Sequence, residues 1–80
     1  QMWTIKYCGV WNYRPYAESL SAKINLHRYE TCEIEEGDNG QFEIFKSGRS
    51  ILSKKDHGDF FTIEDVEKKL EAMGETFYAE

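Results

Sequence analysis

Proline is nearly absent from this chain: Pro15 is the only one in 80 residues. No Pro/Gly-rich linker, repeat or low-complexity stretch interrupts it, so residues 1–80 are expected to form one domain. A chain this short buries only about 60% of the surface its unfolded form exposes, so the core must be small. Cysteine is scarce too, and two are too few for a disulfide scaffold. No apolar run approaches the roughly 20 residues that span a bilayer. Positive charge is in deficit: the net charge is −5, and no Lys/Arg cluster offers a footprint for nucleic acid or an anionic membrane. No charged-then-apolar leader opens the chain, and Met2, after Gln1, reads as its natural start. Together with the two cysteines this predicts a reducing cytosol. Nothing demands more than a monomer.

What the chain does have is twelve aromatic residues and one unusual tetrapeptide, Cys8-Gly9-Val10-Trp11. Trp3, Ile5 and Tyr7 alternate with Thr4 and Lys6 just before it, the period of a half-buried strand. After it, Tyr13, Ala17, Leu20, Ile24 and His27 recur at three- and four-residue spacing, which predicts a helix. Pro15 either sits in the first turn of that helix or kinks it.

The spacing then predicts strands over 29–36, 41–46 and 50–54, with Gly37-Asp38-Asn39-Gly40 and Ser47-Gly48-Arg49 as turns. Asp56-His57-Gly58-Asp59 reads as a loop. Thr62, with Asp65 three residues on, should cap a last helix whose stripe is Ile63, Val66, Leu70 and Met73. Gly74 is a stop signal, and Phe77-Tyr78 are placed to dock back on the body. The order β-α-β-β-β-α is an α/β fold, a four-stranded mixed sheet carrying two helices. A helical crossover makes the first two strands parallel. Tight turns make the second, third and fourth antiparallel.

A thiol where a strand gives way to a helix is a candidate for chemistry, because backbone N–H groups and the helix dipole stabilise the reactive thiolate. Lys6 and Arg14 add to this if they reach the sulfur, and Gly9 lets another backbone approach it. The plainer alternative is that Cys8 is a small buried hydrophobe. Cys32, inside a strand, is read as core. His27 is read as closing the first helix and His57 as a loop residue. Neither has a partner at metal spacing, and the chain has no C-x-x-C, so no metal site is expected. Glu33, Glu35, Glu36 and Asp38 read as a solvated strand face. Trp11 with Tyr13, Phe60 and Phe61 would make an apolar patch beside the motif, if the two phenylalanines do not fold inward.

The head Ile5-Lys6-Tyr7-Cys8-Gly9-Val10-Trp11-Asn12-Tyr13, the middle Gly40-Gln41-Phe42-Glu43-Ile44, and the tail Ser53-Lys54-Lys55 with Gly58, Phe60 and Phe61 together resemble the selenoprotein W or Rdx family. The resemblance runs through nearly the whole chain. It implies a thioredoxin-like fold and a small thiol or selenothiol redox protein acting on protein or peroxide substrates. It assigns Cys8 to the first position of a C-x-x-C or C-x-x-selenocysteine motif, with Trp11 at the second. It makes Gly9, Val10, Tyr13, Phe60 and Phe61 binding candidates. It implies no bound cofactor, glutathione as reductant, and protein partners. Trp11 departs from the family pattern and leaves Cys8 without a resolving partner. Selenocysteine is encoded by UGA, which can be decoded as tryptophan, so the expected natural residue is selenocysteine. The alternative is a non-enzymatic interaction or redox-sensing module. The cis-proline of the wider thioredoxin group has no counterpart here.

Overall fold

A computed structural model describes residues 2–28 and 31–74, with the side chains of 27 and 28 excepted. Its elements are β1 (Met2–Tyr7), α1 (Arg14–Arg28), β2 (Thr31–Glu36), β3 (Phe42–Lys46), β4 (Arg49–Ser53), α2 (Lys54–His57) and α3 (Ile63–Ala72). The strands form one mixed sheet in the order β2-β1-β3-β4. β1 pairs parallel with β2 and antiparallel with β3, and β3 pairs antiparallel with β4.

The period-two pattern decides which face is buried. Trp3, Ile5 and Tyr7 of β1 point into the core with Phe42 and Ile44 of β3 and Cys32 of β2. Ile51 of β4 joins them through a bulge: Leu52 sits opposite Ile44 and Ser50 opposite Phe45, so Ile51 has no partner of its own. Ala17, Leu20 and Ile24 of α1 and Ile63, Val66 and Leu70 of α3 close the same core. The outer face carries Lys6, Glu35 and Phe45, with a Lys6–Glu35 ion pair of 3.7 Å. Met73, expected in the α3 stripe, is instead exposed at the helix C-cap. Expectations for Tyr29, Phe77 and Tyr78, and for the side chain of His27, lie outside the described residues.

Two differences from the sequence reading bear on the site. The first is that β2 and β3 do not form a hairpin. Their directions are opposed, but β1 lies between them. The linker over residues 37–41 can step over one strand. Two strand spacings are about 10 Å, and five residues reach up to about 17 Å. The second is α2, a third helix where a loop was expected. Ser53 caps it by accepting from the Asp56 N–H at 3.1 Å. Gly58, at φ 99°, ends it with its N–H on the Lys54 carbonyl at 2.8 Å.

Thr62 and Asp65 form the expected capping box at the start of α3. Hydrogen bonding to the Thr62 backbone, before any other cause, holds the Asp65 carboxyl below its ordinary pKa. Thr62→Ala should therefore destabilise the fold by about 1 kcal/mol, lowering the thermal midpoint by roughly 4–8 °C. The Asp65 contribution should be complete above the ordinary aspartate pKa and lost as pH falls through the depressed one. Acid titration of the midpoint in wild type and Asp65→Asn checks the sign: the two curves should converge at low pH.

Candidate redox site

The site is built where β1 stops. The Tyr7 carbonyl accepts from the Gly37 N–H at 2.8 Å, and the Cys8 N–H donates to the Gln41 carbonyl at 2.8 Å. Both ends of the β2–β3 linker are thus tied across the end of the central strand. Beyond Cys8 the chain makes a loop over 9–13. The Asn12 N–H donates to the Gly9 carbonyl at 3.4 Å, Asn12 adopts φ 59°, and the Tyr13 N–H returns to the Cys8 carbonyl at 3.1 Å. Asparagine tolerates this left-handed conformation better than most residues.

Inside that loop the Trp11 N–H donates to Cys8 Sγ at 3.2 Å. Cys8 is 1% exposed, yet it lies outside the continuous apolar core. It is a covered thiol held by a polar group. The helix does not begin at the sulfur. α1 starts at Arg14, and the amide that meets Sγ belongs to the loop. Pro15 occupies the first turn, where a missing N–H leaves nothing unpaired, so it is no kink. Lys6 and Arg14 are engaged elsewhere. Lys6 pairs with Glu35, and Arg14 donates to the Tyr7 hydroxyl and to Glu18, each at 3.0 Å.

The aromatic candidates separate. Trp11 is 58% exposed, and one edge of its ring lies on Gly40: a methyl group built there would stand 2.9 Å from Trp11 Cζ3. Trp11 meets Tyr13 edge-on at 6.1 Å, and Tyr13 meets Phe60 at 4.7 Å. Phe60 is half-buried and stacks on Tyr16 at 4.0 Å. Phe61 is a correction: it is 5% exposed, packed on Phe42 at 5.0 Å, and part of the core. Tyr16, at 52% exposure, takes its place on the surface. Its three-residue spacing from Tyr13 was the available signal. Val10, at 79%, and Gly9 are exposed in the loop.

Cys32 is the opposite kind of thiol. Burial pushes its pKa up to about 11, only partly opposed by Ser21. It pairs with Trp3, five residues along β1 from Cys8. At about 3.3 Å per strand residue that is roughly 16 Å, far beyond the limit of about 7 Å between disulfide Cα atoms. Both cysteines are free. Among the described residues no cluster of His, Cys, Asp and Glu is placed to hold a metal ion, and no helix is long and apolar enough to cross a membrane. His57 lies 3.6 Å from Asp65, at the cap of α3.

The model of the Rdx family matches residues 3–72. A selenoprotein W-related protein from Vibrio cholerae superimposes with a TM-score of 0.78 at 23% identity, covering 90% of this chain and 94% of its own. A Bordetella parapertussis protein gives 0.77 at 15% identity, with 90% and 95% covered. These two likenesses speak to the fold. No curated protein matches the sequence.

Two outcomes follow from the geometry. In native protein at about pH 8, iodoacetamide should leave Cys32 unmodified, and unfolding should make it react, as read by peptide mass mapping. Gly40→Ala combines a φ of 75° with a clash against the Trp11 ring. It should cost about 1 kcal/mol or more in denaturant unfolding and shift the Trp11 emission.

Proposed function

The chain belongs to the Rdx family, which makes it a small redox-related protein, and from that premise we propose that it is a thiol or selenothiol exchange protein that works, in this Trp11 form, as a monothiol with Cys8 as the reacting sulfur. The observation that carries this reading is the Trp11 N–H on Sγ at 3.2 Å. A hydrogen bond to sulfur stabilises the thiolate more than the thiol, and the thiolate is the nucleophile. Because Sγ is covered, exchange proceeds from an opened form of the loop over 9–12.

Cys8 thiolate attacks a disulfide R–S–S–R′. The new bond joins Sγ to one sulfur, the old S–S bond breaks, and R′–S⁻ leaves and takes a proton from water. The number of disulfides is unchanged. Glutathione thiolate then attacks the outer sulfur, forms R–S–S–glutathione and returns Cys8. Toward a peroxide the same thiolate takes one oxygen atom. It becomes sulfenic acid and releases an alcohol or water. Glutathione converts that acid to a mixed disulfide and water.

Position 11 is where a second chalcogen would complete the pair, and Cys32 is too distant to substitute. Under this reading the native residue there is selenocysteine and the Trp11 form is impaired. A TGG codon in the gene would end that part of the proposal. Under this reading the protein acts as a monomer in a reducing cytosol, on disulfides formed by protein thiols. Exposed Val10, Trp11 and Tyr16 favour a second reading, in which the loop docks to a partner protein and Cys8 only senses oxidation.

Trp11→Cys separates the two readings. An oxidoreductase should form an intramolecular disulfide between Cys8 and the introduced thiol. It should gain at least about tenfold in disulfide exchange, since resolution no longer needs a second molecule. An unchanged rate would favour the docking module. Cys8→Ser should abolish exchange in either background.

A further inference from the structure

Glu36 stands where the pattern of β2 calls for an apolar side chain. It follows Cys32 and Ile34 at two-residue spacing and pairs with buried Tyr7 across the parallel ladder. Its side chain runs to the redox loop. A methyl group built on Gly9 would overlap Glu36 Oε1 and lie 3.3 Å from Glu36 Cγ. The carboxylate therefore rests on the residue bonded to Cys8 while staying exposed to solvent, as the reading of a solvated strand face expects.

Its charge is not offset. Among the described residues Glu36 has no hydrogen bond or ion pair, while Lys6 is taken by Glu35 and Arg14 by Glu18. Lys54 lies over Tyr13 and Phe60, on the other flank of the loop. Beyond Gly40, an open cleft of about 540 Å³ is lined by Asp38, Glu43 and Asp56 against one cation, Lys55. That cleft shares Gly40 with the seat of the Trp11 ring. The surface of the β2–β3 linker beside the redox loop is therefore acidic.

Resting on the reading of Cys8 as the redox thiol, we infer that Glu36 sets the charge of its substrates, favouring disulfides flanked by cationic groups over anionic ones. The fitting substrate class is a cysteine bordered by lysine or arginine in a partner protein. When Cys8 thiolate attacks such a disulfide, Sγ bonds to the near sulfur and the far sulfur leaves as a thiolate. Negative charge is present throughout, beside an uncompensated carboxylate, and a cation on the substrate offsets both. An anionic disulfide adds repulsion to the same step. Glutathione regenerates the thiol in this scheme by attacking the outer sulfur.

The test uses three methanethiosulfonate reagents: trimethylammonium-ethyl, sulfonato-ethyl and neutral methyl. Cys8 labelling is followed by mass spectrometry at low salt and normalised to 2-mercaptoethanol. The wild-type cation-to-anion rate ratio should exceed that of the model thiol by about fivefold or more, and added salt should shrink it. Glu36→Gln keeps the side-chain volume and should bring the ratio within about twofold of the model thiol. Glu71→Gln, which removes one carboxylate from α3, should leave it unchanged. A wild-type ratio equal to the model thiol, or one that Glu36→Gln does not move, overturns the inference. So does an equal fall in both variants, which would assign the preference to net charge. A Cys8 that reacts with the neutral reagent but shows no preference overturns this inference alone. A Cys8 inert to all three reagents overturns the redox reading and this inference with it.

Discussion

Two backbone hydrogen bonds across the end of β1, Gly37 N–H to Tyr7 and Cys8 N–H to Gln41, hold the rest of the site in place. A central strand that simply stopped would leave a buried donor and acceptor unpaired, at about 1–3 kcal/mol each. The β2–β3 linker satisfies both as it crosses. In doing so it lays Gly40 under the Trp11 ring and ends β2 with Glu36 against Gly9. The thiol loop is thus clasped by a second loop from a different part of the chain.

The clasp gives the two cysteines different chemistry within one small sheet. Cys32 is surrounded by core, and desolvation keeps its proton on. Cys8 is as well covered, yet its sulfur meets the Trp11 amide, inside a loop whose residues 9–12 are exposed. Coverage by core is lost only when the domain unfolds, whereas coverage by a loop is lost in local opening. Burial alone therefore does not rank the two thiols.

The aromatic residues divide along the same line. Phe61 and Phe42 pack inward and carry the core to the floor of the site. Tyr13, Phe60 and Tyr16 form a ledge beside the loop, and Trp11 lies at its rim. Phe60 and Phe61 are adjacent, so they point to different surroundings, and the sequence could not say which one faces out. Lys54, from a one-turn helix that no periodicity announces, covers the rings of Tyr13 and Phe60.

Much was legible beforehand because it rests on local rules. Alternation in β1 and β3, the three- and four-residue stripes of α1 and α3, the Thr62–Asp65 box and the Ser47-Gly48 turn all depend on residues near one another in the chain. So did the position of Cys8 after β1. The sequence by itself determined these elements and the absence of a second thiol in the motif. Strand order, the crossing of the β2–β3 linker over β1, the amide on Sγ and the carboxylate on Gly9 were decided only by the tertiary structure. All of these depend on how the chain closes in space, and turn residues between two strands look the same whether the strands pair or hold a third between them.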